Sequence, residues 1–348
     1  MEDPGKGTNR SMDDEADGRI CVAKGVSAWS KSLSAYTHLF LNTLSSPSAI
    51  PNPTMSLPRL PIELYDNIAS HLFPSDLAAL CRTHSLFYPI AQRILYRYLA
   101  LSSAHHNLSV VVTLSNKPSI ARVVRTLSIT VHSSAHVLRP FYSALRDALS
   151  AMSELTSLHL SLDTNVDPSW VLTPRTHHVT YPRLQIFRSS FSFDAHVTGF
   201  LERTPALERL ELDTAPVSGT APLPLLSHAA IPRLVHFMGS YQAIKVIVPG
   251  RPLESIHIHD GDLSEDEVAC LAQSTGHIAV LGAITSALLV PFLKSVARHL
   301  PYLAYLRLMA PFHVSLKPSD DVRPLLRFLP AELTIFRYRL FTNKSQLL

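Results

Sequence analysis

Glycine, cysteine and long apolar runs are scarce in this chain, and each scarcity removes a class of function. The 11 glycines are spread over 348 residues, and none forms G-x-G-x-x-G or G-x-x-x-x-G-K, so neither phosphate-cradling loop is present. G-x-S-x-G is missing as well, and no nucleophile stands marked beside a base. The three cysteines, Cys21, Cys81 and Cys270, share no metal or disulfide spacing, which suits reduced thiols and a cytoplasmic or nuclear location. The most apolar run, Leu281–Leu293, is interrupted by Gly282 and Pro291 and falls short of the roughly 18–20 residues that cross a bilayer. Lys and Arg number 31 against 27 Asp and Glu, with no basic run, so neither nucleic acid nor a membrane is implied as a partner. Glu2, Asp3, Asp13, Asp14, Glu15 and Asp17 give the N-terminus the wrong charge for a secretory or transit signal. No catalytic residue, cofactor or bound metal is expected.

What is present is a globular composition, 46% hydrophobic, behind a polar leader. Residues 1–56 mix Gly, Ser, Asp and Pro and are expected to be disordered, with 1–54 dispensable. Met55 stands just before the first organised segment and is a candidate initiator. Pro61 suits a first helical turn and Glu63 complements the helix dipole, so a helix is expected over 61–72. Two more are expected over 76–83, with Ser75 as N-cap, and over 89–99. Leu64, Ile68 and Leu72 form one stripe at i, i+4 and i+8. Three short helices are too few to hide their own apolar residues, so the unit should dock on something.

From residue 118 a different period takes over. Val124/Leu127/Ile129, Leu155/Leu158/Leu160, Leu184/Phe187, Leu207/Leu210/Leu212, Leu234/Phe237, Leu253/Ile256/Ile258, Ile278/Leu281, Leu303/Leu306/Leu308 and Leu333/Phe336/Tyr338 repeat an L-x-x-L-x-L theme. The mean period is about 26 residues, inside the roughly 20–29 of leucine-rich repeats. Helical patterns lie between, at 141–152, 194–203, 264–274, 286–299 and 319–329, and proline recurs before the strands at Pro182, Pro205, Pro232, Pro252, Pro301 and Pro330. The reading is a solenoid with a parallel curved sheet, against an ordinary leucine-rich α/β domain with less regular spacing. The asparagine that follows the strand in standard repeats is absent, and Asp163, Asp213 and Asp260 stand near its place.

The run Leu60-Pro-Ile-Glu-Leu, Ile68, Leu72, Asp76-Leu, Leu80-Cys-Arg, Phe87, Ile90-Ala and Leu95-Tyr resembles an F-box at nearly every position where that motif favours a residue type. With the repeats behind it, the chain is similar to the F-box proteins with degenerate leucine-rich repeats of mushroom-forming fungi. The resemblance implies an α/β architecture of three parts: a leader at 1–56, a three-helix F-box-like module at 58–100, and a leucine-rich-repeat-like solenoid at 101–348. It also implies a non-catalytic substrate receptor whose F-box binds a Skp-type adaptor and, through it, a cullin-RING ubiquitin ligase. By position, Leu60, Pro61, Leu64 and Ile68 would lead that contact, with Leu77, Leu80, Ile90 and Leu95 extending or supporting it. Two alternatives stay open: the bundle caps the solenoid, or it is an F-box-like scaffold with no role in ubiquitination.

The unknown cargo would meet the exposed face of the sheet, which alternation assigns. Arg209, Glu211 and Asp213 point out, then Ser255, His257 and His259, then Tyr305 and Arg307, then Arg337 and Arg339. The face should pass from acidic and hydroxylic in the middle to basic at the C-terminal end, where arginines suit an acidic or phosphorylated segment. Those arginines read equally well as ordinary surface charge. Ile256-His-Ile-His-Asp260 suggests a paired-histidine metal site, but the repeat already explains its alternation and no further ligand cluster follows.

Overall fold

The computed structural model describes residues 61–105, 107–132, 138–162, 168–176, 178–212, 224–285, 289–309 and 334–337. The expectations for the leader, Met55, Leu60, Asp163, Asp213, Arg339 and the helix at 319–329 lie outside these residues.

Helix α1, Ile62–Ser70, starts directly after Pro61, whose carbonyl accepts from the Leu64 N–H at 3.0 Å. Helix α2, Pro74–Thr83, begins at its proline, so Ser75 lies inside the helix and Phe73 holds the N-cap position. Proline's fixed φ suits the first turn, and that outweighs the serine as a start signal. Helix α3, Phe87–Arg97, stops where Tyr98 turns extended, earlier than expected, because the alternation that follows belongs to a strand. Ala69, Leu77, Cys81, Ile90, Ala91 and Leu95 form the module's core.

That strand is β1, Tyr98–Ser102, and it heads a ten-stranded sheet whose strands lie in chain order, every pairing parallel. The others are β2, Thr126–Val131; β3, Ser157–Leu162; β4, Ile186–Ser189; β5, Arg209–Leu212; β6, His236–Ser240; β7, Ser255–Asp260; β8, Val280–Ile284; β9, Tyr305–Met309; and β10, Thr334–Arg337. All nine expected repeats meet a strand, the last through Phe336, its one residue among those described. The tenth, β1, carries the same signature in Tyr96-x-x-Leu99-x-Leu101, disguised by its aromatic first position and the helix running into it.

Between the strands lie α4, Val110–Asn116; α5, Pro118–Ala121; α6, Arg139–Ala151; α7, Ala195–Leu201; α8, Tyr241–Ile247; α9, Glu265–Leu271; and α10, Leu289–His299. The sequence points to α6, α7, α9 and α10. It conceals α4, whose Val110-Val111-Val112 is β-branched and a poor intrinsic helix former, yet Val110, Val111 and Leu114 are buried in the continuous core. Caps fix the entries of two helices. Asp194 accepts from the Val197 N–H at 2.8 Å at α7, and Ser264 and Glu267 cap α9 reciprocally.

Burial alternates along the strands: β2 and β3 read half-buried, buried, half-buried throughout. One face lines a continuous core from Leu99 to Leu306. The other is open, unlike most parallel sheets, which helices cover on both sides. At the start of the sheet, buried Asn107 accepts from the Ser102 N–H at 2.7 Å and donates to the Ala100 carbonyl at 3.1 Å, satisfying backbone groups of β1. Among the described residues no helix is long and apolar enough to cross a membrane.

Candidate functional site

Two surfaces collect the residues singled out by sequence. The first belongs to α1–α3. Tyr65, Ala69 and Leu72 turn inward to the small core, whereas Leu64 is 46% and Ile68 56% exposed. Ile62, Phe73 and Leu86, which sequence reasoning did not name, are exposed too, Phe73 at 73%. Pro61 is exposed and Leu80 half-buried. Leu77, Ile90 and Leu95 are buried inside the module, so they offer a partner no surface and act only as the floor beneath α1. An Arg93–Asp66 ion pair and an edge-to-face contact of Tyr65 with Phe87 at 5.4 Å hold α1 on α3. Burial pushes the Cys81 thiol above its ordinary pKa, away from reactivity.

The second surface is the open face of the sheet. Strand register lines its outward residues into rows. One runs Ser128, His159, Arg188, Glu211, Met238, His257, Gly282 and Arg307; a second runs Ser157, Ile186, Arg209, His236, Ser255, Val280 and Tyr305. Arg188 Nε lies 2.9 Å from the Glu211 carboxylate, and Ser128 Oγ lies 3.2 Å from His159 Nδ1. A depression of about 220 Å³ is lined by this ion pair with His159, Met238 and His259. His257 and His259 share the face as expected, and the His257 ring lies over Gly282, where a Cβ would come within 2.6 Å of Nδ1. Among the described residues no three His, Cys, Asp or Glu side chains converge as metal ligands.

Burial, more than neighbouring charge, sets the state of the two shifted histidines on the face. Burial first, then Arg307 and His236, push the His257 pKa below its ordinary value while Glu211 pulls it up. His159 is lowered by burial and then by Arg188, again against Glu211. Arg188 and Arg209 make the middle of the face basic around one carboxylate, Glu211, contrary to the acidic and hydroxylic middle expected. His159, Arg188 and His236 complete it, and the alternation rule applied to β3, β4 and β6 would have found them.

The final strand departs from expectation. Thr334, Ile335, Phe336 and Arg337 pair with Tyr305, Leu306, Arg307 and Leu308, so Phe336 shares the row of Arg307 and Arg337 falls in register with the inward row. A one-residue slip exchanges the faces, and Ile335 and Phe336 are adjacent apolar residues that satisfy either phase. Arg337 is therefore no register partner of the outward arginine.

No family model matches the chain, and no curated protein matches it. Among solved structures, the crystal structure of the Rad7 and Elc1 complex in yeast is similar at 13% identity and a TM-score of 0.30, over 93% of this chain and 98% of that one. A likeness of that degree leaves function to be argued from the chain's own residues.

Proposed function

We propose that the chain is a substrate receptor of a Skp-cullin-F-box type ubiquitin ligase, acting in the cytoplasm or nucleus without catalysing any step itself. Helices α1–α3 dock the Skp-type adaptor, and the open sheet face holds a protein cargo. The observation that carries the reading is the outward face of α1. Leu64 and Ile68 stay exposed on a helix whose other side already fills the module's core. Apolar surface of this kind is worth about 25 cal/mol per Å² once a partner covers it. The receptor then works by proximity, raising the local concentration of cargo near the conjugating enzyme.

The test is a Leu64→Asp/Ile68→Asp double variant. Both positions are exposed, so the variant should keep the wild-type circular dichroism and melting profile while adaptor capture is abolished. Undiminished adaptor capture by the folded variant would remove the basis of the reading. Affinity purification with the proteasome blocked separates the roles: a receptor retains the cullin and stabilised cargo, and a scaffold without a ubiquitination role retains the adaptor but not both of the others.

A further inference from the structure

The two outward rows crossing the sheet from β3 to β9 hold three arginines, Arg188, Arg209 and Arg307, against a single carboxylate, Glu211, and the three histidines beside them add hydrogen-bonding groups rather than fixed charge. That carboxylate sits among the cations, 2.9 Å from Arg188, and the pair is accessible, at 43% for Arg188 and 28% for Glu211. Strands stand about 4.8 Å apart, so the five steps from Arg188 on β4 to Arg307 on β9 span about 24 Å. That is the length of about seven extended residues.

We propose that these rows bind an extended acidic peptide segment of the cargo, and that Glu211 is a built-in competitor whose carboxylate occupies Arg188 until a cargo carboxylate replaces it. The proposal rests on the open face being the cargo surface. Replacing one arginine–carboxylate contact by another is close to an even exchange at that position. Net attraction therefore comes from positions beyond Arg188, Arg209 first, and an acidic segment must reach along the row rather than fill one pocket. This is a device for selectivity: an isolated Asp or Glu gains little, and a run of them gains along the whole row. A nucleic acid fits less well, because between β3 and β9 the rows offer Tyr305 and no other Phe, Tyr or Trp on which bases could stack.

Fluorescence anisotropy of the full-length chain with a labelled peptide of alternating glutamate and serine tests it. The lysine–serine counterpart and an oligothymidylate of matched charge serve as controls. The glutamate peptide should bind and the lysine peptide should not. Arg307→Gln should weaken binding, and Glu211→Gln should tighten it by about two- to fivefold. A gain on removing Glu211 is what a merely structural ion pair would not give. Glu211→Gln binding equally or more weakly than wild type, Arg307→Gln without effect, or oligothymidylate binding as tightly as the peptide would each overturn the proposal. Leu64→Asp/Ile68→Asp should leave peptide binding untouched, so adaptor docking and cargo class fail separately.

Discussion

At the scale of single residues, the open face predicts its own response to acid. His257 is half-buried beside Arg307 and His236, and His159 beside Arg188, and both imidazoles are held below the ordinary pKa, with Glu211 opposing. A histidine whose folded pKa is lowered takes up its proton more readily once the chain unfolds. Its contribution to stability is therefore complete above the unfolded value of about 6.5 and is lost as pH falls through that value toward the folded pKa. Urea melts of wild type and His257→Gln at about pH 7.5 and about pH 5.5 should show wild type losing more stability on acidification. Equal losses would mean that His257 titrates as it does in the unfolded chain. Glu267 is the opposite case: burial resists its ionisation, but hydrogen bonds from Ser264 and Lys245 hold its carboxyl below the usual range. It therefore stabilises above about pH 4.5 and ceases to as pH falls below. Lys245 Nζ lies 3.1 Å from this carboxylate, so the pair also ties α8 to α9.

At the scale of elements, Arg251 shows how a repeat lacking a full asparagine ladder holds its turns. Its side chain is fully buried, and its guanidinium donates to the carbonyls of Ser227, Ala230, Val246, Ile247 and Pro249 at 2.8–3.1 Å. It thereby fastens the end of α8 to the turn before β6, where Ile231 adopts φ 48°, an uncommon conformation for a β-branched residue. Arg251→Met keeps much of the volume but leaves the carbonyls of Ala230, Val246, Ile247 and Pro249 without this donor, and should lower stability by roughly 1–3 kcal/mol or more. A calorimetric melt close to wild type would show that water replaces the guanidinium. Nothing in the sequence marks Arg251, because its partners are backbone atoms and its role depends on how two loops meet. The strands are different: each Leu-x-x-Leu-x-Leu carries its own inward phase, so β2–β9 were legible one by one. β1 was hidden by the helical pattern of Ile90, Ile94 and Leu95 running into Tyr96, and β10 by two adjacent apolar residues that leave the phase open. The outward arginines and histidines were readable by alternation. The contact of Arg188 with Glu211 needs one step more, alignment of neighbouring repeats, which sets Phe187 beside Leu210 and so Arg188 beside Glu211.

At the scale of the whole molecule, two cores of unequal size share one chain. The continuous core runs from Leu99 to Leu306, whereas the module's core has six buried residues, two of them alanine. In a solenoid each repeat is stabilised chiefly by its neighbours, so central strands, supported on both sides, should be the last to open. Among the described residues the module has a neighbour on one side only. Its links include Tyr96, which packs against both cores, and the backbone bond from the Arg125 N–H to the Arg97 carbonyl at 2.9 Å. The Tyr96 phenol is held above its ordinary pKa by burial, then by Tyr88 and Cys81, as expected of a side chain wedged between two packed bodies. Amide hydrogen exchange should therefore fall into two tiers, with α1–α3 exchanging faster than β3–β7. Tyr96→Ala should widen the gap by loosening the module while leaving the central strands as they were. The reading of α1 as a docking surface adds a third condition: a bound adaptor, covering Leu64 and Ile68, should slow exchange in α1–α3 toward the rate of the solenoid. Exchange that is uniform across both cores, and equally raised in both by Tyr96→Ala, would make the chain one cooperative unit and the module an end cap rather than a separately stabilised handle.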